Sequence, residues 1–446
     1  MLTFDHHHRA PKGGLSRREF VRVGGLGVAG LTLADLLRAD AVSPSPKRRP
    51  KSVIYVVLDG GPSHIDMWDL KPDAPVEYRG PFKPTATSLP GVQICDLMPK
   101  QARLMNELVL LRGIKSVEND HFLSEVYTGL PRVSGNRPAW GSVASKLSGP
   151  HNGMPAYVSL NRATVDRFEY EKPYYMGASH APFRPFEDAL SDLRPAKSLD
   201  ALADRKQLLH QFDSIRRDLD GSGTFDGMDR FQAQALDILT SPKVRDAFDL
   251  SKEPPKLLDS YGKGKYPHQT AKDILYEWDA KPFVLARRLV EAGVRAVTLR
   301  AGSWDHHSGP QSDIFAALKM LMPVLDASVG ALVTDLKDRG LDEDVLVVVL
   351  GEFGRTPKIS PQGPGREHWA DAGCAVLFGG GLKMGQVIGE TDSRAEQVKT
   401  GLVTFQNIVA TIYHVLGVDV RVKIPDFGGR PQHLLDDRTP IRELVG

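Results

Sequence analysis

The 446-residue chain has few cysteines, almost no net charge and, beyond its first 41 residues, no apolar run of about 20 residues. Two cysteines, Cys95 and Cys374, cannot build a disulfide framework; an exported chain can pair them, but we expect two separate core residues. A formal charge of +2 gives no reason to expect a nucleic-acid partner. The missing apolar run leaves the mature chain without a predicted membrane span.

The first 41 residues contain the three parts of an export signal in order. Ser16-Arg17-Arg18-Glu19-Phe20-Val21 is a twin-arginine motif, a Gly-rich apolar stretch runs from Val23 to Leu37, and Ala39-Asp40-Ala41 supplies a cleavage site. The alternative is an amphipathic helix with a chance arginine pair. We predict recognition by the twin-arginine export machinery, a periplasmic or secreted location, and a Pro/Ser/Lys/Arg linker over residues 42–51.

The rest of the chain alternates apolar, strand-like runs with amphipathic, helix-like stretches. This order indicates an α/β fold, a three-layer sandwich with a mostly parallel sheet and helices on both faces. Predicted strands are Val53–Leu58, Leu108–Leu111, Ala156–Leu160, Ala296–Arg300, Val345–Leu350 and Ala375–Phe378; predicted helices are Pro282–Ala292, Ile314–Arg339 and Thr404–Leu416.

Residues 52–446 are predicted to form one domain that carries an insertion at about 162–282. In the insertion, charged and helix-compatible stretches, Ala201 to Leu219 and Phe231 to Leu239, alternate with Gly/Pro-rich connections. We therefore expect a helical cap over one end of the sheet.

Acidic side chains directly follow predicted strands at Asp59, Asp305 and Glu352. Ligands of doubly wound sheets bind beyond the carboxyl ends of the strands, so these side chains are expected to meet. A carboxylate at the end of a buried strand is costly unless it is paired or binds a metal. We predict Asp59 and Glu352 as metal ligands; the alternatives are a turn-capping Asp59 and a Glu352 paired with Arg355.

The segment Trp304-Asp305-His306-His307 places three candidate ligands in one short loop. Asp305 and His307 are two residues apart and point the same way in an extended segment, so both are predicted to bind the metal. His306 then faces elsewhere, toward a substrate. The alternative is a polar turn with exposed histidines.

His368, which precedes the Ala375–Phe378 strand, supplies a further predicted imidazole ligand. Arg355 is predicted to bind an oxyanion, with a salt bridge as its alternative role. The predicted metal is a divalent cation, zinc for these mixed ligands, with manganese or calcium as alternatives. The predicted ligand set is Asp59, Asp305, His307, Glu352 and His368.

A polar stretch, Asn119-Asp120-His121, precedes Ser124 and completes the candidate site. Asn119 can only donate or accept hydrogen bonds, His121 can transfer a proton near neutral pH, and Ser124 can attack a substrate. In the first strand's loop, His64 and Ser63 are weaker candidates for the same two roles.

These motifs resemble the alkaline phosphatase and sulfatase superfamily, and within it an exported branch known as domain of unknown function family 1501. The resemblance covers the chain from Lys51 to its C-terminus. It rests on Arg17-Arg18, Asp59-Gly60-Gly61, Thr128-Gly129, Trp304-Asp305-His306-His307, Glu352-Phe353-Gly354-Arg355-Thr356-Pro357, His368 and Gly379-Gly380-Gly381.

The resemblance implies one or two metals and hydrolysis of a phosphate or sulfate ester, with a small anionic ester or a sulfated or phosphorylated glycan as substrate. This chain departs from the superfamily pattern at two positions. Asn119 stands about ten residues before the Thr128-Gly129 turn, where characterised members carry the nucleophile, and Phe353 replaces an imidazole. The departures argue against covalent catalysis and weaken one of the two metal sites that the resemblance implies. A single-metal mechanism stays open, with His306, His121 or His64 moving protons and Arg355 neutralising the oxyanion.

Two hypotheses of different class follow. The first is an exported metal-dependent hydrolase. The second is a non-catalytic binding protein of the same fold, with a structural metal and a cleft for anionic glycans. A sugar-phosphate mutase needs the nucleophile that Asn119 replaces.

Overall fold

The structure, a computed structural model, describes residues 51–161, 170–185, 241–309, 312–361 and 363–445. The predicted export signal, nearly all of the predicted linker and the predicted helical stretches 201–219 and 231–239 lie outside these ranges.

Seven strands form the central sheet, in the order β7-β2-β6-β5-β1-β4-β3. Every neighbouring pair is parallel except those of β6, which runs antiparallel to both β2 and β5. The predicted α/β class with a mostly parallel sheet is confirmed. The strands are β1 (Ser52–Val57), β2 (Val109–Ile114), β3 (Tyr157–Ser159), β4 (Ala296–Arg300), β5 (Val345–Leu350), β6 (Gly373–Gly379) and β7 (Gln386–Ile388).

Helices cover both faces of this sheet because its central strands are apolar on both sides. In β1, Ile54 and Val56 belong to the core on one face, and Val53, Tyr55 and Val57 to the core on the other. The first core takes side chains from α1 (Pro99–Leu104), α3 (Lys281–Ala292) and α4 (Ile314–Asp338), and the second from α2 (Trp140–Ser148) and α5 (Phe405–Leu416).

Short elements connect the layers. The short helices are His64–Met67, Val76–Arg79, Ser124–Thr128, Pro242–Phe248, Pro255–Ser260 and Arg442–Val445, with 3₁₀ turns at Met105–Glu107, Arg132–Ser134, Tyr174–Met176, Ala178–His180 and Leu250–Lys252. Two-stranded ribbons pair Pro84–Ala86 with Gln93–Cys95, Lys265–His268 with Ala271–Glu277, Gly354–Arg355 with His368–Trp369, Glu390–Thr391 with Val398–Thr400, and Lys423–Pro425 with Pro431–His433.

Three details of the fold bear on the sequence predictions: the length of β2, the elements of the predicted insertion and the state of the two cysteines. β2 continues through Arg112-Gly113, where we predicted its end; a Cβ on Gly113 would lie 2.4 Å from the Gly401 carbonyl oxygen, so glycine permits close approach of a neighbouring segment. The described part of the insertion includes the ribbon Lys265–His268/Ala271–Glu277 as well as helices. Cys95 and Cys374 are both free and buried, as expected.

Helix α4 is long and apolar enough to cross a membrane by length and composition alone. Its most apolar window is 72% buried inside the protein. Its apolar side chains belong to the core on one face of the sheet, which accounts for their number.

The reversed strand β6 determines which residues meet at one edge of the sheet. The carboxyl ends of the parallel strands lie at one edge, and an antiparallel strand begins there. Asp59, His121, Asp305 and Glu352 follow β1, β2, β4 and β5, whereas His368 precedes β6. All five residues therefore reach the same edge.

A buried ion pair fixes the loop that carries His368. Arg366 Nε and Nη2 donate to the two carboxylate oxygens of Asp66 at 2.7 and 3.1 Å, and both side chains are fully buried. Arg366 also donates to the carbonyl oxygens of Thr356 and Tyr78, at 2.9 and 2.7 Å. The pair thus joins the loop before β6 to the segment after β1.

Replacing Asp66 by Ala should leave the Arg366 guanidinium buried without a counter-charge. We expect a loss of about 3–5 kcal/mol in the free energy of unfolding, measured by urea titration. The exposed pair of Asp419 and Arg421, 2.9 Å apart, provides the control, since Asp419→Ala should leave the urea midpoint almost unchanged. Equal midpoints for the two variants would contradict a structural role for the buried pair.

Candidate metal centre

Three imidazoles surround one carboxylate at the sheet edge. One ligand atom from each of His121, Asp305, His307 and His368 lies within 4.8 Å of the other three. The Nε2 atoms of His121, His307 and His368 are 3.1, 2.6 and 3.5 Å from Asp305 Oδ1. We call these four residues the His₃Asp cluster.

Glycine at position 60 lets the Asp305 loop lie directly against the end of β1. Gly60 has φ +112°, and a Cβ there would lie 2.2 Å from the Asp305 backbone nitrogen. Trp304 N donates to the Asp59 carbonyl oxygen at 2.8 Å, which continues the contact between the loops after β1 and β4. Any larger residue at position 60 would push Asp305 away from the histidines.

Each histidine of the cluster has its Nδ1 atom paired with an acceptor outside the cluster. His121 Nδ1 pairs with Glu352 Oε1 at 2.9 Å, and His307 Nδ1 with Glu367 Oε2. His368 Nδ1 pairs with the backbone oxygen of Asn119 at 3.1 Å. Such outer acceptors fix the ring orientation of metal-binding histidines and direct Nε2 toward the ion.

The orientation of His368 fits a cation at the centre of the cluster. Its Nε2 atom is buried and has no hydrogen-bond partner. The ring packs against Phe353 and His121, with centroid distances of 4.4 Å in both cases. A lone pair directed at a carboxylate is unfavourable without a proton or a cation between the two groups. The donor set therefore fits a divalent metal.

Hydrogen bonds between the acidic and imidazole groups of the cluster shift their pKa values. Burial lowers the pKa of His121, but its hydrogen bonds to Asp305 and Glu352 outweigh burial and raise that pKa to about 10. Burial raises the pKa of Asp305, yet hydrogen bonds from His121 and His307 outweigh burial and hold the pKa of that carboxyl well below its usual range. The hydrogen bond to Asp305 raises the pKa of His307. Because the pKa values of His121 and His307 are raised, a cation that binds these two rings has to displace protons.

Two predicted ligands lie beside the cluster instead of within it. The Asp59 carboxylate pairs with Arg300 Nη1 at 3.1 Å, and burial raises its pKa although Arg300 opposes this. Glu352 is 3% exposed and accepts from both His121 and Gly60 N, the latter at 2.8 Å. Glu352 therefore orients the ring of His121.

His306 and Arg355, predicted to contact a substrate, are both buried. His306 is 2% exposed, its Nε2 lies 3.2 Å from the Ser303 carbonyl oxygen, and burial lowers its pKa to about 4. Arg355 is fully buried and donates to Asp305 Oδ1 at 2.9 Å and to the Gly61 carbonyl oxygen at 2.8 Å. For Arg355, the structure shows the alternative role, a salt bridge.

The candidate nucleophiles are bonded elsewhere. Ser63 Oγ donates to Asp66 Oδ2 at 2.6 Å, and Ser124 Oγ donates to the Leu130 carbonyl oxygen at 2.9 Å. His64 is fully buried, with Nε2 3.0 Å from the Ala395 carbonyl oxygen. Asn119 contributes its backbone oxygen to His368.

Glu367 was not among the predicted site residues, although it adjoins His368. Its two carboxylate oxygens hold His307 Nδ1 and Ser308 Oγ, the latter at 2.8 Å. An acidic residue directly before a predicted histidine ligand was the available signal. This signal was ambiguous, because nothing in the sequence indicates which histidine Glu367 faces.

The family model described as "Protein of unknown function (DUF1501)" matches residues 50–445, and the chain belongs to this family. No curated protein matches it significantly.

Solved structures give distant matches. A sulfatase (PsFucS1) from Pseudoalteromonas sp. is 14% identical, with a TM-score of 0.39, and the match covers 91% of this chain and 75% of that one. A protein in the alkaline phosphatase superfamily from Vibrio parahaemolyticus is 10% identical, with a TM-score of 0.37, covering 84% and 68%. A phosphonate monoester hydrolase of Agrobacterium radiobacter is 11% identical, with a TM-score of 0.36, covering 86% and 78%.

Removing an outer acceptor should weaken metal binding without removing a ligand. Glu367→Ala frees the His307 ring, and we expect metal affinity to fall about 10–100-fold, measured by competition with a chromogenic zinc chelator. The matched control is Glu390→Ala, which removes another partly exposed glutamate, paired only with Lys399. Equal affinities in the two variants would show that Glu367 does not support the site.

Metal binding should release protons. Since the pKa of His121 is about 10 in the metal-free protein, a cation at Nε2 displaces a proton at neutral pH, and affinity should rise with pH, about tenfold per unit for each proton released. Calorimetric zinc titrations in buffers of different ionisation enthalpy measure the number of protons released per zinc bound. His121→Ala should release fewer protons than the wild type, and His414→Ala, an exposed histidine on α5, the same number. Heats that do not depend on the buffer would refute the expectation.

Proposed function

We propose that this protein is an exported, metal-dependent hydrolase of phosphate or sulfate esters. The observation that carries the proposal is the His₃Asp cluster, with three Nε2 atoms directed at Asp305 and three outer acceptors behind them. The cluster lies beyond the carboxyl ends of the parallel strands, where α/β proteins bind their ligands. The substrate class, a small anionic ester or an anionic glycan, is what the family resemblance implies.

Zinc is the metal that we propose. Three imidazoles and one carboxylate provide four ligands, three of them nitrogen donors, which is a set that zinc favours. Calcium prefers six to eight oxygen ligands, which makes it a poor match for this cluster. Manganese would need more oxygen donors than the four residues supply.

The cation, the water and the protein side chains have separate roles in the proposed hydrolysis. A bound divalent cation supplies Lewis-acid chemistry, polarising an ester oxygen and lowering the pKa of water. Since Ser63 and Ser124 donate their hydroxyls to other protein groups, we assign the attack to water and not to a side chain. Asp59, with 34% of its side chain exposed beside the cluster, is the carboxylate that we propose accepts the proton from that water. The water oxygen bonds to the phosphorus or sulfur, the ester bond breaks, and the leaving alcohol takes up a proton from solvent.

Export through the twin-arginine route is part of the proposal. Its support is Ser16-Arg17-Arg18-Glu19-Phe20-Val21 with the apolar stretch and cleavage site that follow. This route carries folded proteins, which suits a chain that acquires its metal before export. Fractionating cells that express the full chain tests this part.

A non-catalytic binding protein is the second candidate. The observation that favours it is Asn119, which stands where the resemblance places a nucleophile and contributes a backbone oxygen to the cluster. A protein of this kind would keep the cation as a structural element and hold an anionic glycan in the cleft.

Activity toward aryl phosphates and aryl sulfates separates the two candidates. For a hydrolase, zinc-loaded wild type should turn over one of these esters, and His368→Ala should lose at least about 100-fold in kcat/KM, since it removes a ligand. The control His414→Ala should retain wild-type activity. Tight zinc binding with no turnover of either ester class would overturn the hydrolase and favour the binding protein.

A further inference from the structure

We propose that the site holds a single divalent cation and that Phe353 excludes a second. The inference rests on the metal centre of the proposed function and not on its reaction. Its support is the charge and the ligand content of the groups that surround the His₃Asp cluster.

Charge balance favours one cation. The cluster and its outer acceptors contain three carboxylates, those of Asp305, Glu352 and Glu367, and Arg355 contributes one guanidinium. With neutral imidazoles the formal charge of this group is minus two, which one divalent cation neutralises. A second cation would leave an excess positive charge in a partly buried site, which is costly.

One neighbouring carboxylate is already paired within the protein. Asp59 Oδ2 lies 3.1 Å from Arg300 Nη1. A second cation at that oxygen would compete with the guanidinium for the same negative charge, so Asp59 alone cannot hold it.

The ligands for a second cation are incomplete. Glu352 Oε1 is engaged by His121 and Gly60, and only Glu352 Oε2, which is buried and lacks a hydrogen-bond partner, is available. The next residue is Phe353, 5% exposed, whose ring centroid lies 5.4 Å from that of His121 and 4.4 Å from that of His368. Phe353 therefore places an apolar ring where a further ligand would have to stand.

The rest of the described chain offers no substitute. Within residues 51–161, 170–185, 241–309, 312–361 and 363–445, the His₃Asp cluster is the only group of three or more potential ligands that come this close together. Besides the Asp59 carboxylate, which is paired with Arg300, a second cation would have one carboxylate oxygen, Glu352 Oε2, and no imidazole. That is fewer ligands than a stable divalent site needs.

Metal stoichiometry tests the inference without reference to activity. The purified full chain is stripped with a chelator, loaded with zinc, freed of excess metal by gel filtration, and examined by native mass spectrometry and elemental analysis. We expect one zinc per chain for the wild type and for Phe353→Leu, which keeps an apolar side chain. Phe353→His supplies an imidazole next to Glu352 and should bind two.

Each outcome decides a separate point. Two zinc ions in the wild type would overturn the one-cation inference and leave the proposed hydrolase standing. No zinc in a folded wild type, checked by circular dichroism, would remove the metal centre and the proposed function with it. One zinc in a folded Phe353→His variant would overturn the role of Phe353 in excluding the second ion.

Discussion

The carboxylate of Asp305 is the interaction on which the site depends. One of its oxygens faces three imidazole nitrogens and the guanidinium of Arg355, all within 3.5 Å. So many donors around one oxygen are favourable only if the charges balance, and the protein supplies that balance with protons, with Arg355 or with a cation. The same carboxylate holds the loops after β2 and β4 and the loop before β6 close together.

The geometry of this cluster depends on groups that never touch its centre. Glu352, Glu367 and the Asn119 carbonyl each set the tautomer and direction of one ring. The buried pair of Asp66 and Arg366 fixes the loop before β6 and so places both Glu367 and His368. The candidate ligands are therefore positioned by the surrounding protein, which would limit the entropy lost in binding the proposed cation.

Much of the fold could be predicted because its central strands are continuous apolar runs. The runs that became β1, β4 and β5 have few other stable arrangements than a sheet buried on both faces, and their carboxyl ends indicate where ligands bind. Asp305 and His307 were predictable as partners because alternate residues of an extended segment share a side. The strand β7 and the ribbon Lys265–His268/Ala271–Glu277 were missed, because short segments carry too little periodicity.

The sequence alone determined the class of fold, the family resemblance and the chemical types in the site, since these follow from local patterns of apolar, acidic and imidazole residues. Tertiary structure decided how the side chains divide between ligand and support. His121 joined the cluster, Glu352 became its outer acceptor, and Arg355 was buried as a counter-charge. Spacing along the chain does not specify these roles, because each depends on which loop lies opposite at the sheet edge. The reversal of β6 sets that arrangement, and the direction of a strand is a property of the whole sheet.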